Sequence, residues 1–290
     1  MLKRSKGLKS RIIEFTHFNR DLTILDEDSR LKLSIVMKKV MEHVNKARKN
    51  YRLEKKNFAT ENKFAPNEFW DEVIKKAHEL GIGLIGFASV DENLIFEIDY
   101  VGGIDVLYEN AIVLGMEMDY NNIEDAPDFL AAYESMRIYA ELGEATNKLA
   151  DFIRSKGYRA IVCHPLGGPI LYPPMAVKAN LGEIGRNGLL VSKKYGPRQR
   201  LSMIATNAYP LPEIKHEELR ITEYCEKCGI CIKKCPANAI LNKPIKRNGL
   251  ITHIDGSKCI EYFYKTLGCS ICIKVCPFHK LGYEKVIKSL

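Results

Sequence analysis

Four cysteines between residues 225 and 236 have the spacing C-x2-C-x2-C-x3-C and are followed by a proline, in the stretch CEKCGICIKKCP. A second group begins at Cys259 and continues in CSICIKVCP, which contributes Cys269, Cys272 and Cys276 and again ends in a proline. Thiolates held in such short turns are the usual ligands of iron–sulfur clusters. Two cysteine–proline runs within 52 residues therefore predict two four-iron, four-sulfur (4Fe-4S) clusters in the last part of the chain.

The same runs predict how the eight cysteines divide between the clusters. In runs of the bacterial ferredoxin type, the fourth cysteine ligates the other cluster. One predicted ligand set is Cys225, Cys228, Cys231 and Cys276, and the other is Cys235, Cys259, Cys269 and Cys272. Nine residues separate Cys259 from Cys269, which departs from compact ferredoxin spacing, so Cys259 fits the pattern least well. Zinc, which also binds C-x2-C pairs, is the alternative metal.

The composition suits a globular protein with a real core. The chain has 290 residues, 46% of them hydrophobic, which leaves room for two domains. No apolar run approaches the roughly 20 residues that span a bilayer, and the start MLKRSKGLKSRIIEF has neither a signal core nor a twin-arginine pair. Eight cysteines in metal-ligand spacing also argue against a secreted disulfide scaffold. We therefore expect a cytoplasmic protein, in which the ninth cysteine, Cys163, is a small core residue.

Positive charge is concentrated in the first 60 residues. They hold 16 Lys/Arg against 7 Asp/Glu, whereas the whole chain has a net charge of only +8. Such a basic arm is able to meet RNA, a phosphate-rich ligand or an acidic protein. The alternative is a solvated helix face, because the stretch SRLKLSIVMKKVMEHVNKARK spaces its apolar residues as a helix does. Those apolar residues are Leu31, Leu33, Val36, Met37, Val40, Met41 and Val44.

Between this arm and the cysteines, the pattern alternates between helices and strands. One helix is predicted from Asn67 with a stop at Gly81, and a longer one in DFLAAYESMRIYAELGEATNKLADFIRSKGY ends at Gly157. Strands are predicted at 82–89, 110–119, 159–163, 188–192 and 200–207. We expect three parts: a basic helical arm (1–60), an α/β domain (61–210) and a cluster module (211–290), with the proline-rich stretch 209–215 as linker.

Nucleotide-binding motifs are absent from the sequence. The glycines of ANLGEIGRNGLL fall at 182, 185 and 188, which is not the G-x-G-x-x-G spacing of a dinucleotide site, and there is no P-loop. Nothing in the sequence therefore predicts NAD or ATP binding.

The stretch AVKANLGEIGRNGLLVSKKYGPRQRLSMIATNAYPL, followed by two cysteine–proline runs, resembles corrinoid-dependent reductive dehalogenases and their relatives, the epoxyqueuosine reductases. The segments AIVLGMEMDY, AAYESMRIYAELGEATNKLADFIRSKGYRAI and PILYPPMAVKANLGE resemble the dehalogenase branch more closely. The resemblance covers about residues 70–280 and does not extend to the first 60 residues.

This resemblance implies an α+β fold, in which a nitroreductase-like α/β sandwich precedes a C-terminal, ferredoxin-like module with two 4Fe-4S clusters. It implies that the α/β domain holds a corrinoid (cobalamin), mostly through backbone groups, and that the clusters reduce its cobalt. A tyrosine then donates a proton, and a nearby cation lowers the pKa of that tyrosine and stabilises the departing charge.

By position, Arg186 matches the cation of the family, Tyr133 the tyrosine and Tyr139 a second candidate. Gly182, Gly185 and Gly188 are expected to let the backbone approach a corrin ring. The alternatives are structural: a turn arginine paired with Glu183, and tyrosines that only pack in a core.

Two departures from the family bear on function. The chain is shorter than respiratory dehalogenases and shows no export signal, and Leu166 stands where epoxyqueuosine reductases carry an acidic proton donor.

The leading hypothesis is a cytoplasmic iron–sulfur oxidoreductase that uses a corrinoid to cleave a substrate bond reductively. The alternatives are an electron-transfer protein that reduces a partner's corrinoid or metal centre, and a tRNA-modifying enzyme. Expected partners are a low-potential donor such as a ferredoxin or flavodoxin, and a small-molecule substrate or corrinoid protein; RNA is the less favoured partner.

Overall fold

A computed structural model describes residue 2 and residues 25–58, 61–97, 103–213, 216–247, 249–266 and 268–290. Its helices are α1 (Glu27–Lys56), α2 (Asn67–Glu79), α3 (Tyr120–Glu124), α4 (Phe129–Ser155), α5 (Tyr172–Lys178), α6 (Ile221–Cys228), α7 (Ile230–Lys234), α8 (Gly256–Lys265), α9 (Ile271–Lys274), α10 (Pro277–Lys280) and α11 (Tyr283–Ile287). Its strands are β1 (Lys63–Phe64), β2 (Leu84–Ser89), β3 (Asn110–Glu117), β4 (Ala160–Cys163), β5 (Glu183–Ile184), β6 (Leu190–Val191), β7 (Gln199–Thr206), β8 (Ala208–Tyr209), β9 (Ile240–Arg247) and β10 (Leu250–Ile254).

A four-stranded sheet in the order β2-β3-β7-β4 lies at the centre of the main core, and every neighbouring pair is antiparallel. The two inner strands are buried over nearly their whole length, which explains why they read as continuous apolar runs rather than as alternating patterns. Cys163 is buried at the end of β4 within this core, as predicted. Mixed helices and strands followed by a cysteine-rich module confirm the α+β fold class.

Helix α4 packs on strands β3, β4 and β7 of the sheet and also contacts helices α1, α2 and α3. It begins after Asp128 and ends at Ser155, just before Gly157, whose φ of +83° explains the predicted stop. Small residues such as Ala131, Gly143 and Ala150 lie on its buried side, so the helix approaches the sheet closely.

Helix α1 covers another side of α4. Leu33, Val36, Val40 and Val44 are buried against Met136 and Ala140, which matches the predicted helical face. Leu31 and Met41 belong to the same predicted set but are exposed, because their positions turn away from α4.

The C-terminal half of α1 is also held by polar contacts, among them Lys46 Nζ to Asp151 Oδ2 at 2.6 Å and Tyr51 Oη to Asp105 Oδ2 at 2.6 Å. Residues 3–24 of the predicted basic arm lie outside the described residues.

One predicted strand is placed differently. Within 188–192 only Leu190–Val191 is extended, and it pairs with Glu183–Ile184 in a two-stranded ribbon instead of joining the central sheet. Gly188, with a φ of +73°, turns the chain back on itself immediately before β6, so the segment is too short to extend the sheet. In the predicted linker 209–215, Tyr209 pairs with Phe64 through β1 and β8, and residues 214–215 lie outside the described residues.

The cysteine-rich part contains helices α6–α11 and the β9–β10 hairpin. Its own apolar cluster is small and combines Leu219, Ile221, Cys276, Phe278 and Val286 with Val191 of β6. A polar contact joins it to α3, where His279 Nε2 lies 2.6 Å from Glu124 Oε1 and the His279 ring stacks on Tyr120 at 4.5 Å. The limits of the three predicted parts stay a prediction.

Among the described residues, no helix combines the length and the apolar character that crossing a membrane requires. The cytoplasmic location stays a prediction from the sequence.

Candidate iron–sulfur site

Cys225, Cys228, Cys231 and Cys276 line one cavity that is partly open to solvent. Three of them come from the first cysteine run and the fourth comes from the second run, 45 residues further along the chain than Cys231. The other lining residues are Gly185, Arg186, Asn187, Val191, Tyr224, Gly229, Pro277 and Phe278. The structure therefore brings together the first predicted ligand set, including its crossover member.

Local backbone geometry explains this convergence. Gly229 has a φ of +60° and breaks the chain between α6 and α7, which directs three closely spaced cysteines to one side of the turn. Cys276 is extended (φ −70°, ψ 128°) and immediately precedes Pro277, the first residue of α10. Proline suits this first helical position because its missing N–H would be unpaired there anyway. The cysteine–proline pair thus sets the start of a helix and the direction of the sulfur.

Burial makes these thiols difficult to ionise. It raises the pKa of Cys225 to about 11 and that of Cys276 to about 12, and the neighbouring thiols raise both pKa values further. The backbone N–H of Arg186 opposes this effect at Cys225, as do those of Phe278 and His279 at Cys276. Four thiolates in so small a space need positive metal ions to neutralise them, so metal binding here is coupled to proton release.

The second predicted set is also brought together. Burial raises the pKa values of Cys259, Cys269 and Cys272, and Cys235 is among the charged neighbours that raise each of them further. Cys272 is also influenced by Cys231, so the two sets are adjacent. The backbone N–H of Ala239 donates to the Cys235 sulfur at 3.3 Å.

The donor sets suit clusters better than a single ion. Within the part of the chain that the structure describes, no three His, Cys, Asp or Glu side chains are grouped to hold one metal ion. Zinc needs its ligands to converge on one point, whereas a four-iron cube takes each cysteine on a different iron atom. Thiols arranged around a cavity therefore fit 4Fe-4S clusters, and the ligand assignment stays a prediction.

A single loop of the α/β region contacts three elements of the cysteine module. Glu183 accepts hydrogen bonds from the backbone N–H groups of Leu219 (3.1 Å) and Thr222 (2.7 Å), at the start of α6. The Arg186 guanidinium donates to the Leu241 carbonyl at 3.3 Å and to the Asn242 carbonyl. Asn187 Nδ2 donates to the Cys272 carbonyl at 3.4 Å. We call residues 182–191 the clamp loop. Since Glu183 and Arg186 bond to different elements, the alternative of a turn arginine paired with Glu183 is wrong.

The glycines of the clamp loop lie against protein atoms. A Cβ added to Gly182 would lie 2.3 Å from the Val191 carbonyl oxygen, and one added to Gly185 would lie 2.9 Å from Val191 Cγ2 and 3.7 Å from Cys225 Sγ. A Cβ on Gly188 would lie 3.4 Å from His253 Cβ. Close packing accounts for Gly182 and Gly185, and the left-handed φ of +73° accounts for Gly188. The part of these glycines in holding a corrinoid stays a prediction.

Tyr133 and Tyr139 lie on α4, where they pack at the edge of the apolar cluster shared with α1. The Tyr133 ring lies 5.8 Å from that of Phe129, and the Arg200 guanidinium lies over the Tyr139 ring at 5.0 Å. Arg186 contacts β9 and the cysteine cavity, so these contacts do not join the predicted cation to either tyrosine. Leu166 packs against the same cluster as the tyrosines.

Two further residues, one at the cysteine cavity and one beside Tyr133, are only weakly indicated by the sequence as functional residues. Tyr224 lines the cysteine cavity, and only its position beside Cys225 in the sequence points to it. Glu134 is fully buried beside Tyr133, where a free carboxyl group would be a candidate acid. Although burial opposes its charge, hydrogen bonds from Arg137 and from the Asp119 backbone hold the pKa of Glu134 below its usual value. Its role is therefore to join α3 to α4, since it has no proton to donate at neutral pH.

Comparison with known proteins identifies a family that matches the cysteine module and relatives that match a longer stretch of the chain. The family described as a 4Fe-4S dicluster domain matches residues 224–280. A tetrachloroethene reductive dehalogenase of Desulfitobacterium hafniense is 32% identical over 187 residues, which cover 60% of this chain and 33% of that protein. An epoxyqueuosine reductase of Aliivibrio fischeri is 27% identical over 256 residues, covering 70% of this chain and 65% of the relative.

Solved structures show the same two groups. The catabolic reductive dehalogenase NpRdhA has a TM-score of 0.68 at 25% identity, covering 74% of this chain and 33% of that one. An epoxyqueuosine reductase bound to a modified tRNA-Tyr stem loop has a TM-score of 0.52 at 18% identity, covering 74% of this chain and 66% of that one.

The chain spans about a third of the length of the dehalogenases that it matches. Identity and TM-score are both higher for the two dehalogenases named above than for the two epoxyqueuosine reductases named above. The cysteine module, the clamp loop and these matches together make this chain a homologue of the reductive dehalogenases and epoxyqueuosine reductases, closer to the dehalogenase branch and carrying a 4Fe-4S dicluster domain.

Proposed function

We propose that this protein is a cytoplasmic iron–sulfur oxidoreductase of the reductive dehalogenase type. Electrons from a low-potential donor such as a ferredoxin or flavodoxin pass through two 4Fe-4S clusters to a corrinoid, and a substrate bond is cleaved reductively. The observation that carries this proposal is the cavity lined by cysteines of both runs, next to the clamp loop of the α/β region. Homology to named reductive dehalogenases supports the reaction class.

The proposed ligands of one cluster are Cys225, Cys228, Cys231 and Cys276, and those of the other are Cys235, Cys259, Cys269 and Cys272. Adjacent ligand sets favour electron transfer between the clusters, because Cys272 of one set lies near Cys231 of the other. The clamp loop contacts both sets, through Gly185 near Cys225 and through Asn187 on the Cys272 carbonyl. It is therefore the proposed crossing point for electrons that enter the α/β region.

Reductive cleavage of a carbon–halogen bond consumes two electrons and one proton, and yields a carbon–hydrogen bond and a halide ion. Tyr133 is the proposed proton donor, with Tyr139 as the second candidate, because both side chains lie where α1 shields one face of α4. When bound, a corrinoid supplies a low-valent cobalt that attacks the substrate bond. The described contacts do not gather Tyr133, Arg186 and the clamp-loop glycines around one space, so no residue is assigned to the cobalt. Corrinoid binding rests on the relatives, one of which is described as catalysing B12-dependent dehalogenation.

Anaerobic reconstitution with iron, sulfide and cobalamin tests this function. After desalting, we expect about eight irons and about one cobalt per chain, together with loss of halide from a panel of halogenated phenols and alkenes under a low-potential reductant. Iron without cobalt and without halide release would contradict the proposal. That outcome would favour a protein that passes electrons to the corrinoid or metal centre of a partner.

A tRNA-modifying activity is the remaining alternative. A gel shift with a tRNA anticodon stem loop at low and high salt separates it, because binding through phosphates weakens steeply as salt rises. We expect no retarded band at either salt concentration. A salt-sensitive complex without halide release would replace our proposal with an epoxyqueuosine-reductase-like one.

A further inference from the structure

Arg186 lies at the boundary between the α/β region and the cysteine module. The family resemblance places a cation at this position beside a catalytic tyrosine, but here Arg186 lines the cavity of the first cysteine set. Its guanidinium donates to the Leu241 and Asn242 carbonyls of β9, which orients the side chain along the module instead of towards α4.

Three features of Arg186 place N–H groups and positive charge next to the first cysteine set. The Arg186 backbone N–H donates to the Cys225 sulfur, and the Arg186 side chain lines the same cavity as Cys231. Arg186 Nε is buried and has no hydrogen-bond partner among the described residues. An N–H group buried without a partner is costly, and the sulfur atoms of a cluster in the adjoining cavity are acceptors that would satisfy it.

Charge around the cavity makes Arg186 the relevant cation. Lys227 lies in the same module but its side chain is 64% exposed and pairs with Glu223, so water and salt screen it. Lys233 and Lys234 are exposed as well. His253, on β10 opposite Gly188, is kept neutral because burial and the Arg186 charge both lower its pKa.

We propose that Arg186 sets the reduction potential of the cluster held by Cys225, Cys228, Cys231 and Cys276, and acts there as a positioning residue rather than beside a catalytic tyrosine. Cluster potentials depend on nearby charge, on hydrogen bonds to sulfur and on exposure to solvent. Reduction transfers one electron from the donor protein to the cluster and adds one negative charge at the cavity. A fixed, half-buried cation stabilises that charge, so Arg186 raises the potential and makes this cluster the easier one to reduce. The inference rests on the proposed function only in requiring that clusters form.

Redox titration followed by electron paramagnetic resonance tests the inference on cluster-loaded protein without corrinoid. We compare wild type with Arg186→Lys, Arg186→Gln, Arg186→Met and the exposed control Lys227→Met. We expect one of two midpoint potentials to become more negative in the Gln and Met variants, and to stay near wild type in Arg186→Lys and Lys227→Met.

Several outcomes would overturn the inference: unchanged potentials in all Arg186 variants, equal shifts of both clusters, or the same shift in Arg186→Lys and Arg186→Met. If Arg186→Met fails to retain iron, the comparison of Gln with Lys still separates the effect of charge from that of packing. Failure of wild type to take up iron would instead contradict the proposed function, so the two failures are distinguishable.

Discussion

Cys231 provides a direct test of the predicted cluster ligands at the scale of single residues. Replacing Cys231 with alanine removes one of four ligands from the first set, so we expect iron content to fall from about eight to about four per chain. Iron analysis and the visible absorption of the purified protein measure this loss. Cys163→Ala is the matched control, because Cys163 is buried in the sheet and belongs to neither set. Iron near eight in Cys231→Ala would show that the assignment is wrong.

Tyr133 and Tyr139 form a matched pair of variants for the proposed proton transfer. Tyr133→Phe keeps the ring that packs near Phe129 but removes the hydroxyl, so we expect turnover to fall by roughly 100- to 10,000-fold with iron content unchanged. Tyr139→Phe keeps the ring under Arg200 and should retain most of the activity. Halide release under single-turnover conditions measures both variants. A larger loss in Tyr139→Phe would transfer the role to that residue.

His164 predicts a pH dependence of stability. It is buried, its Nδ1 accepts from the Leu166 N–H at 3.0 Å, and burial lowers its pKa to about 3. Between that value and the model-peptide value of 6.5, the unfolded chain binds a proton that the folded chain does not, so stability falls as pH decreases. From pH 7 to pH 5 this residue should cost about 2 kcal/mol of the free energy of unfolding.

Urea unfolding of wild type and His164→Asn at both pH values measures this contribution. Asparagine retains an acceptor for the Leu166 N–H and does not titrate, so its loss of stability between pH 7 and pH 5 should be smaller by about that 2 kcal/mol. Equal losses in the two proteins would mean that folding does not lower the pKa of His164.

At the scale of elements, the contact of α1 with α4 decides what the first part of the chain does. Val40 is completely buried in that contact, so Val40→Asp places an unpaired charge in an apolar cluster and should cost roughly 3 kcal/mol or more. Lys38→Asp, at an exposed position of the same helix, is the control. Hydrogen exchange should increase in α1 of Val40→Asp and stay slow in β3 and β7. Unchanged exchange in α1 would mean that this face does not hold the helix.

At the scale of the whole molecule, the cysteine module has its own small apolar cluster, separate from the large core and from the cluster between α1 and α4. The cysteine module buries only a small apolar cluster, and burial raises the pKa values of most of its thiols, Cys272 among them, so clusters supply much of its folding free energy. Anaerobic removal of iron by a chelator should therefore abolish exchange protection in residues 221–287, while the central sheet keeps its protection. Loss of protection in both parts at once would show that the two form a single cooperative unit.

Much of this organisation is readable from the amino-acid sequence because it depends on local chemistry. Cysteine spacing, Gly229 and the two cysteine–proline pairs specify short turns, and turns are local. Helix α4 ends just before Gly157, as the pattern predicts, because a left-handed glycine two residues beyond Ser155 stops it. The buried runs of β3 and β7 are likewise visible as apolar stretches.

Contacts between segments that are distant in the sequence could be identified only from the tertiary structure. Nothing local shows that β6 pairs with β5 and stays out of the sheet, that Glu183 bonds to α6, or that Arg186 faces β9 and the cysteine cavity. A side chain's partners depend on which distant segments the fold brings within about 3 Å, and sequence spacing carries no such information. The sequence by itself therefore determined the ligand types and the class of fold, whereas the tertiary structure decided which segment Arg186 contacts, because its carbonyl partners lie 55 and 56 residues away.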